Sequence, residues 1–264
     1  MGERENRPEH LAICEEAARA GGKVLLDWRG RFSVREKGPA DLVTEADEAS
    51  QKAIQTIVLG VFPDHTFLAE EGNAAAVVNS SGYRWIVDPL DGTTNYVHGL
   101  PHFAVSIGLE YRGELLAGVV FDPLSNECFS AAQGEGAFLN GKRLEVSAAR
   151  EVSEALVAVG LPTRVRADSP EIKMMAGLIN RSQAVRRMRS TALNLSYVAA
   201  GRLDACWCTG AKSWDVAAGV LIVREAGGQV TAPDGSPLDI DRPNFLASAT
   251  QQLHQELLLI LNAA

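Results

Sequence analysis

The sequence predicts an α/β protein of layered sheets and helices, with a mixed sheet rather than a barrel. Three observations carry this. The 264 residues suffice for one large domain or two closely packed halves with a substantial core. Segments of helical and of strand periodicity alternate irregularly along the chain. Asn140-Gly141, set between Ala137-Phe138-Leu139 and Arg143-Leu144-Glu145-Val146, is a two-residue hairpin signal, so part of the sheet is antiparallel.

The elements follow in order. Residues 8–28 repeat apolar side chains near helical period (Leu11, Cys14, Ala18, Leu25, Trp28), with Gly21-Gly22 as a soft point. Residues 31–34 read as a short strand and 36–40 as a loop. A helix over 47–59 is announced by Thr44 and by Asp47 three residues on, a capping arrangement. Residues 65–69 lead as a strand into Glu70-Glu71-Gly72, and 73–82 are small and polar, a surface loop. Trp85-Ile86-Val87 forms a buried strand that Pro89 ends. Strands over 103–110 and 115–121 flank an Arg112-Gly113 turn, and 126–132 continues the sheet. A second part begins near Ser153, with strands at 155–159, 184–188, 203–208 and 229–231. Its helices span 170–180, 191–200, 213–226 and 251–261; that over 213–226 reads as amphipathic and stops at Gly227-Gly228.

Composition narrows the function. The 46% hydrophobic and 22% charged residues are those of a soluble globular protein, and the net charge of −8 disfavours a nucleic-acid surface. An acidic protein that handles phosphate esters needs cations. Cys14, Cys128, Cys206 and Cys208 lack CxxC spacing, so neither a zinc site nor a disulfide framework is indicated; reduced thiols and a cytoplasmic location are expected. Residues 1–10 are charged and polar, unlike a secretory signal, and no apolar run reaches membrane-spanning length.

The chemistry concentrates in Asp88-Pro89-Leu90-Asp91-Gly92-Thr93-Thr94. Two carboxylates three residues apart at a strand end, with the Leu90 carbonyl between them, can converge as hard oxygen ligands for Mg²⁺. Gly92 lets backbone approach a ligand, and Thr93 and Thr94 offer hydroxyls and N–H groups at a helix start, where phosphate binds well. The same string also suits an ordinary turn, Asp215 an acidic first helical turn, and Asp47 a cap.

Taken together, Asp47, Glu70-Glu71, Asp88 to Thr94 and Trp214-Asp215 resemble the inositol monophosphatase family of Mg²⁺-dependent, lithium-sensitive phosphatases. The resemblance extends over Asp41 to Asp47, Asn95 to Pro101, Gly134 to Gly141, and Trp214 to Gly219 with Glu225 to Gly228. It implies an αβαβα sandwich forming one domain over 1–264, with halves 1–150 and 151–264, usually as a homodimer. By similarity, Glu70, Asp88 and the Leu90 carbonyl hold one Mg²⁺; Asp88, Asp91 and Asp215 hold a second; and Glu70 lies near a weaker third. Gly92 and Thr93, with Thr94, bind phosphate. Glu70 and Thr93 position the attacking water, and Asp47 accepts from the Thr93 hydroxyl. The implied reaction is in-line hydrolysis of a small polyol or sugar phosphate, with myo-inositol monophosphate favoured. Fructose-1,6-bisphosphatase and histidinol-phosphatase are the alternatives within the superfamily. Nucleotide phosphatases typically carry Lys-Glu after Asp-Gly-Thr, where Thr94-Asn95 stands here. Outside catalysis, the alternative is a regulatory partner of the transcription machinery.

The match thins at substrate contacts. Many members have an acidic residue where this chain has Cys208, and Arg189-Ser190-Thr191 stands where a Gly-Ser/Thr-Ala run is common. Alternation puts Cys206 and Cys208 on one face, as core residues or as cleft wall. Arg189 suits either solvent or a second anionic group. Lys212, before Ser213-Trp214-Asp215, is a candidate substrate contact, and so is Lys37 on its loop.

Overall fold

The computed structural model describes residues 7–38, 41–71 and 81–263. Helices α1 (Arg7–Trp28) and α2 (Glu45–Val61) form an outer layer, joined through the hairpin β1 (Val34–Gly38) and β2 (Asp41–Thr44). Under them lies a seven-stranded sheet in sequence order: β3 (Thr66–Ala69), β4 (Tyr83–Asp91), β5 (Ala104–Tyr111), β6 (Glu114–Asp122), β7 (Glu127–Ala132), β8 (Gly136–Leu139) and β9 (Lys142–Arg143). Only its β3–β4 pair is parallel. The short helix α3 (Thr93–Val97) follows β4.

The rest of the chain builds a five-stranded sheet from β10 (Leu156–Gly160), β11 (Ala184–Arg186), β12 (Ala205–Cys208), β13 (Gln229–Thr231) and β14 (Phe245–Ser248), in the order β11-β10-β12-β14-β13. Helices α5 (Thr191–Ala199) and α6 (Ser213–Glu225) lie between the two sheets, and α4 (Pro170–Ile179) and α7 (Gln251–Asn262) cover the far side. The layers are α, β, α, β, α, as the family resemblance implies. No helix among the described residues is long and apolar enough to cross a membrane, and the four cysteines are free.

Several expectations are corrected. The first strand lies at Val34–Gly38, so most of the expected loop over 36–40 is strand; Pro39, Ala40, the Lys37 side chain, and 73–80 of the expected polar loop fall outside the described residues. Gly21-Gly22 is no soft point, because α1 runs through it unbroken and uses the missing side chains for close packing. A Cβ at Gly21 would lie 2.8 Å from Ser50 Oγ of α2, and one at Gly22 would lie 2.6 Å from the Phe121 ring of β6. Helix α6 is not amphipathic, since residues 216–223 are all buried. A helix enclosed between two sheets has no solvent face to make polar.

Strand β14 has no counterpart in the sequence reading. Its four buried residues pair antiparallel with β12 and β13, and a four-residue apolar run is too short for periodicity to reveal. The hairpin at Asn140-Gly141 is present, with both residues left-handed (φ 49° and 77°), although its second strand is only Lys142–Arg143.

The middle layer sits directly on backbone. A Cβ at Gly118 of β6 would lie 2.9 Å from Ala218 Cα and 3.0 Å from Ala218 O of α6. Gly118→Ala is therefore expected to destabilise by about 2 kcal/mol through overpacking. That corresponds to a melting temperature lower by roughly 5 °C, read by calorimetry. An unchanged melting temperature would show that α6 can lift off the sheet.

Candidate active site

The site is built where β4 ends. The strand does not stop at Pro89 as predicted; it continues to Asp91 with an irregular register, Asp88 facing Ser106 and Asp91 facing Ala104. Three steps on β4 thus oppose two on β5, a bulge, which is a place where a sheet tolerates proline. The bulge is held from both sides. Ser50 Oγ of α2 donates to Pro89 O (2.9 Å), and Leu90 N–H donates to Asp88 Oδ1 (2.9 Å).

Gly92 follows at φ 96°, and a Cβ there would lie 3.0 Å from His102 O, so both conformation and space require glycine. It opens α3, whose Thr93 hydroxyl stands 3.2 Å from Asp47 Oδ1 and 3.1 Å from Leu90 O. Asp47 is the third residue of α2 in a capping box: its Oδ2 accepts from Thr44 N–H (2.9 Å) and Thr44 Oγ1 (2.6 Å). The cap read from sequence therefore also holds Thr93. Burial pushes the Asp47 carboxyl up to about 6, against the Thr44 bonds that hold it down.

Glu70 comes off the parallel neighbour β3. Its N–H donates to Val87 O (3.2 Å), and Gln51 of α2 clamps the next residue through Glu71 O (2.6 Å) and Glu71 N (3.0 Å). Asp215 is the third residue of α6 and accepts from Lys212 N–H (2.8 Å).

Asp91 shows a tie that the sequence reading missed. Ser190 Oγ donates to its Oδ2 (2.5 Å), and the amides of Thr191 (3.1 Å) and Ala192 (2.7 Å) donate as well, so Asp91 closes the N-terminus of α5. Ser190 is itself the cap of that helix through Leu193 N–H. A serine before an apolar helical run is a readable capping signal, but its partner lies in another part of the chain.

The carboxylates crowd one another. Burial, then Glu70, Asp91 and Asp215, hold Asp88 well above the usual carboxylate range. Burial, then the Asp91 charge, pushes Asp215 up to about 8. Burial pushes Asp91 up to about 6 against its helix bonds.

Glu70, Asp88, Leu90, Asp91, Gly92, Thr93, Thr94 and Asp215 line one small pocket of about 130 Å³. Among the described residues no three acidic, His or Cys side chains form a closed ligand cage, yet these four carboxylates share this pocket. The donors are all oxygen, from carboxylates and a carbonyl, and the electrostatic strain between them is relieved by a small hard cation; the residues fit Mg²⁺.

A second lobe of about 340 Å³ adjoins it, sharing Asp91, Thr163, Arg189 and Asp215. Cys208 is in its wall, 4% exposed, with burial pushing its thiol up to about 12, so it is an inert neutral surface. Arg189 lines both lobes, half-buried, with Nη2 3.5 Å from Thr94 Oγ1. The Lys212 side chain is exposed and lines neither lobe; the structure brings its backbone N–H to the site. Thr163 and Arg187 are wall residues that no sequence motif singles out.

Comparison with known proteins gives the family. A family model described as "Inositol monophosphatase family" matches residues 6–263. The inositol-1-monophosphatase of Rhizobium meliloti is 43% identical over 229 residues, covering 85% of this chain and 86% of that protein. The solved extragenic suppressor protein suhB of Bartonella henselae superposes with a TM-score of 0.90 at 38% identity, covering 96% of this chain and 98% of that one. A structure of an IMPase/NADP phosphatase complexed with Mg²⁺ and phosphate superposes with a TM-score of 0.82 at 28% identity, covering 92% and 91%. The chain is a phosphatase and belongs to the inositol monophosphatase family.

Proposed function

We propose that the chain hydrolyses the phosphate monoester of a small polyol or sugar in a Mg²⁺-dependent reaction. The observation that carries this reading is the convergence of Glu70, Asp88, Asp91 and Asp215 on a pocket floored by the Gly92-Thr93-Thr94 turn. The neighbour complexed with Mg²⁺ and phosphate supports it.

Glu70, Asp88 and the Leu90 carbonyl would hold one Mg²⁺, and Asp88, Asp91 and Asp215 a second, with Glu70 beside a third. Bound there, Mg²⁺ supplies charge neutralisation, a more acidic water and stabilisation of the departing alkoxide. The protein's own part is orientation. Gly92 and Thr93 present backbone N–H groups to the phosphate, and α2 holds Asp47 rigidly against Thr93. With Asp47 ionised, above about pH 6, the Thr93 hydroxyl donates to it, which leaves its oxygen lone pairs free to accept from the attacking water. Glu70 is the second acceptor for that water.

Thr93→Val keeps the volume and removes this acceptor. It is expected to lower kcat by about 10²-fold with KM little changed. The assay is a Mg²⁺ panel of inositol, fructose-bis, histidinol and adenosine phosphates, with and without Li⁺. Activity on none of them would sink the reading and favour the role as a partner of the transcription machinery. The homodimer and the cytoplasmic setting belong to the same reading, and size measurement and fractionation test them.

A further inference from the structure

The backbone of Arg189 is left-handed, φ 67°, a region that costs a non-glycine residue free energy. The other non-glycine residues with positive φ among those described are Arg112, Asn126 and Asn140, all in strand-to-strand turns. Arg189 instead stands at the wall of the active site, and its conformation is enforced from both sides. On one side Asn95 Nδ2 donates to Met188 O (2.8 Å); on the other, Ser190 is tied to Asp91 (2.5 Å). Strain that is imposed at a site by its surroundings points to a use for the side chain it aims.

That side chain touches no carboxylate among the described residues, and the Asp91 charge reaches it only at a distance. Among the described residues neither Arg189 nor Arg187 forms an ion pair: Arg187 reaches Pro162 O at 3.5 Å and Arg189 reaches Thr94 Oγ1 at 3.5 Å. Both guanidiniums line the 340 Å³ lobe beside Thr163, and both line the outer mouth, where Glu36 and His98 are the other titratable groups. Apart from Asp91 and Asp215 at the metal end, these arginines are the only charged side chains among the described residues lining the lobe; the rest of that wall is neutral, Cys208 and Asn194 included. A substrate whose scissile phosphate lies at Gly92-Thr93 therefore meets two cations at its far end.

We infer that Arg189, supported by Arg187, selects phosphate monoesters carrying a second anionic group, a second phosphate or a carboxylate, over polyol phosphates with no other anionic group. Guanidinium fits either anion bidentately. The inference rests on the phosphatase reading above and narrows its substrate class away from the inositol ester, whose phosphate is its only anionic group.

The test compares full-length protein with Arg189→Gly, which suits the left-handed backbone and so keeps the fold, and with Arg186→Gln, an exposed neighbour outside both lobes. Substrates are fructose 1,6-bisphosphate, fructose 6-phosphate, 2-phosphoglycerate and myo-inositol 1-phosphate with Mg²⁺. The wild type is expected to prefer the doubly anionic esters. Arg189→Gly should lower kcat/KM for them relative to the singly anionic ones by about 30-fold, mainly through KM, with no such change in Arg186→Gln. The bisphosphate and the carboxylate ester distinguish which second anion is read. Ligand-induced thermal shifts are read in parallel. If the wild type turns over nothing, the phosphatase reading fails; selective stabilisation by doubly anionic esters, lost in Arg189→Gly, would still uphold the anion-selecting role. Equal losses on singly and doubly anionic esters, or a wild type with no preference in either readout, would overturn it.

Discussion

Asp88→Asn is expected to reduce Mg²⁺-dependent hydrolysis by about 10³-fold or more while raising the melting temperature of the metal-free protein. Asp88 is the one carboxylate assigned to both ions, so its loss weakens both, and removal of one well-placed charge-stabilising group commonly costs 10²–10³ in kcat. The stability effect has the opposite sign. Asp88 is 2% exposed and crowded by Glu70, Asp91 and Asp215, so as an anion it costs free energy in the absence of cations. An asparagine of the same shape keeps the acceptor for Leu90 N–H, which lies 2.9 Å from Asp88 Oδ1, and carries no charge. A gain of about 3 °C without metal, together with loss of the Mg²⁺-induced gain, is the expected calorimetric result. Full activity in this variant would remove the catalytic assignment altogether; lost activity with a lowered metal-free melting temperature would mean that Asp88 is structural.

Metal-free protein should lose stability as pH rises from about 4 to 8, and Mg²⁺ should cancel most of that loss. Asp47 and Asp91 are pushed up to about 6, and Asp215 to about 8. Each binds its proton more tightly folded than unfolded, so the folded chain carries more protons throughout this range. Their contribution to stability is complete below the unfolded value near 4, and it is lost as pH passes the raised values. One pKa unit corresponds to about 1.4 kcal/mol, so the loss is on the order of several kcal/mol, a large share of a typical folding free energy. Mg²⁺ binds the ionised form and stabilises the folded state by about 2.7 kcal/mol at a hundredfold excess over its Kd. Melting curves at pH 5 and pH 8, each with chelator and with Mg²⁺, should show a Mg²⁺ effect far larger at pH 8. A larger effect at pH 5, or a metal-free protein that gains stability with rising pH, would contradict the carboxylate cluster.

Much of the fold and most of the pocket were legible because their signals are local. The Thr44–Asp47 cap, the Asn140-Gly141 hairpin and the breaks around Asp88 to Thr94 each depend on residues within a few positions of one another. Pro89 shows the limit. Its local meaning, the end of a strand, gave way to a bulge because Ser50 Oγ of α2 holds Pro89 O. For Lys212, sequence placed the right segment at the site, but the helix turned its backbone, not its ammonium, toward Asp215.

The sequence by itself determined the layered α/β class, because periodicity and capping chemistry are properties of short segments, and its resemblance to the family supplied the carboxylates expected to act together. Only the tertiary structure decided that α6 is buried on every side, that Asp91 closes the N-terminus of α5 from 99 positions away, and that Arg189 is bent into the cleft. The physical reason is the same in each case. These features arise where segments distant in the chain are pressed together, and no local pattern records which partner will supply the enclosing sheet, the helix amides or the neighbouring charge.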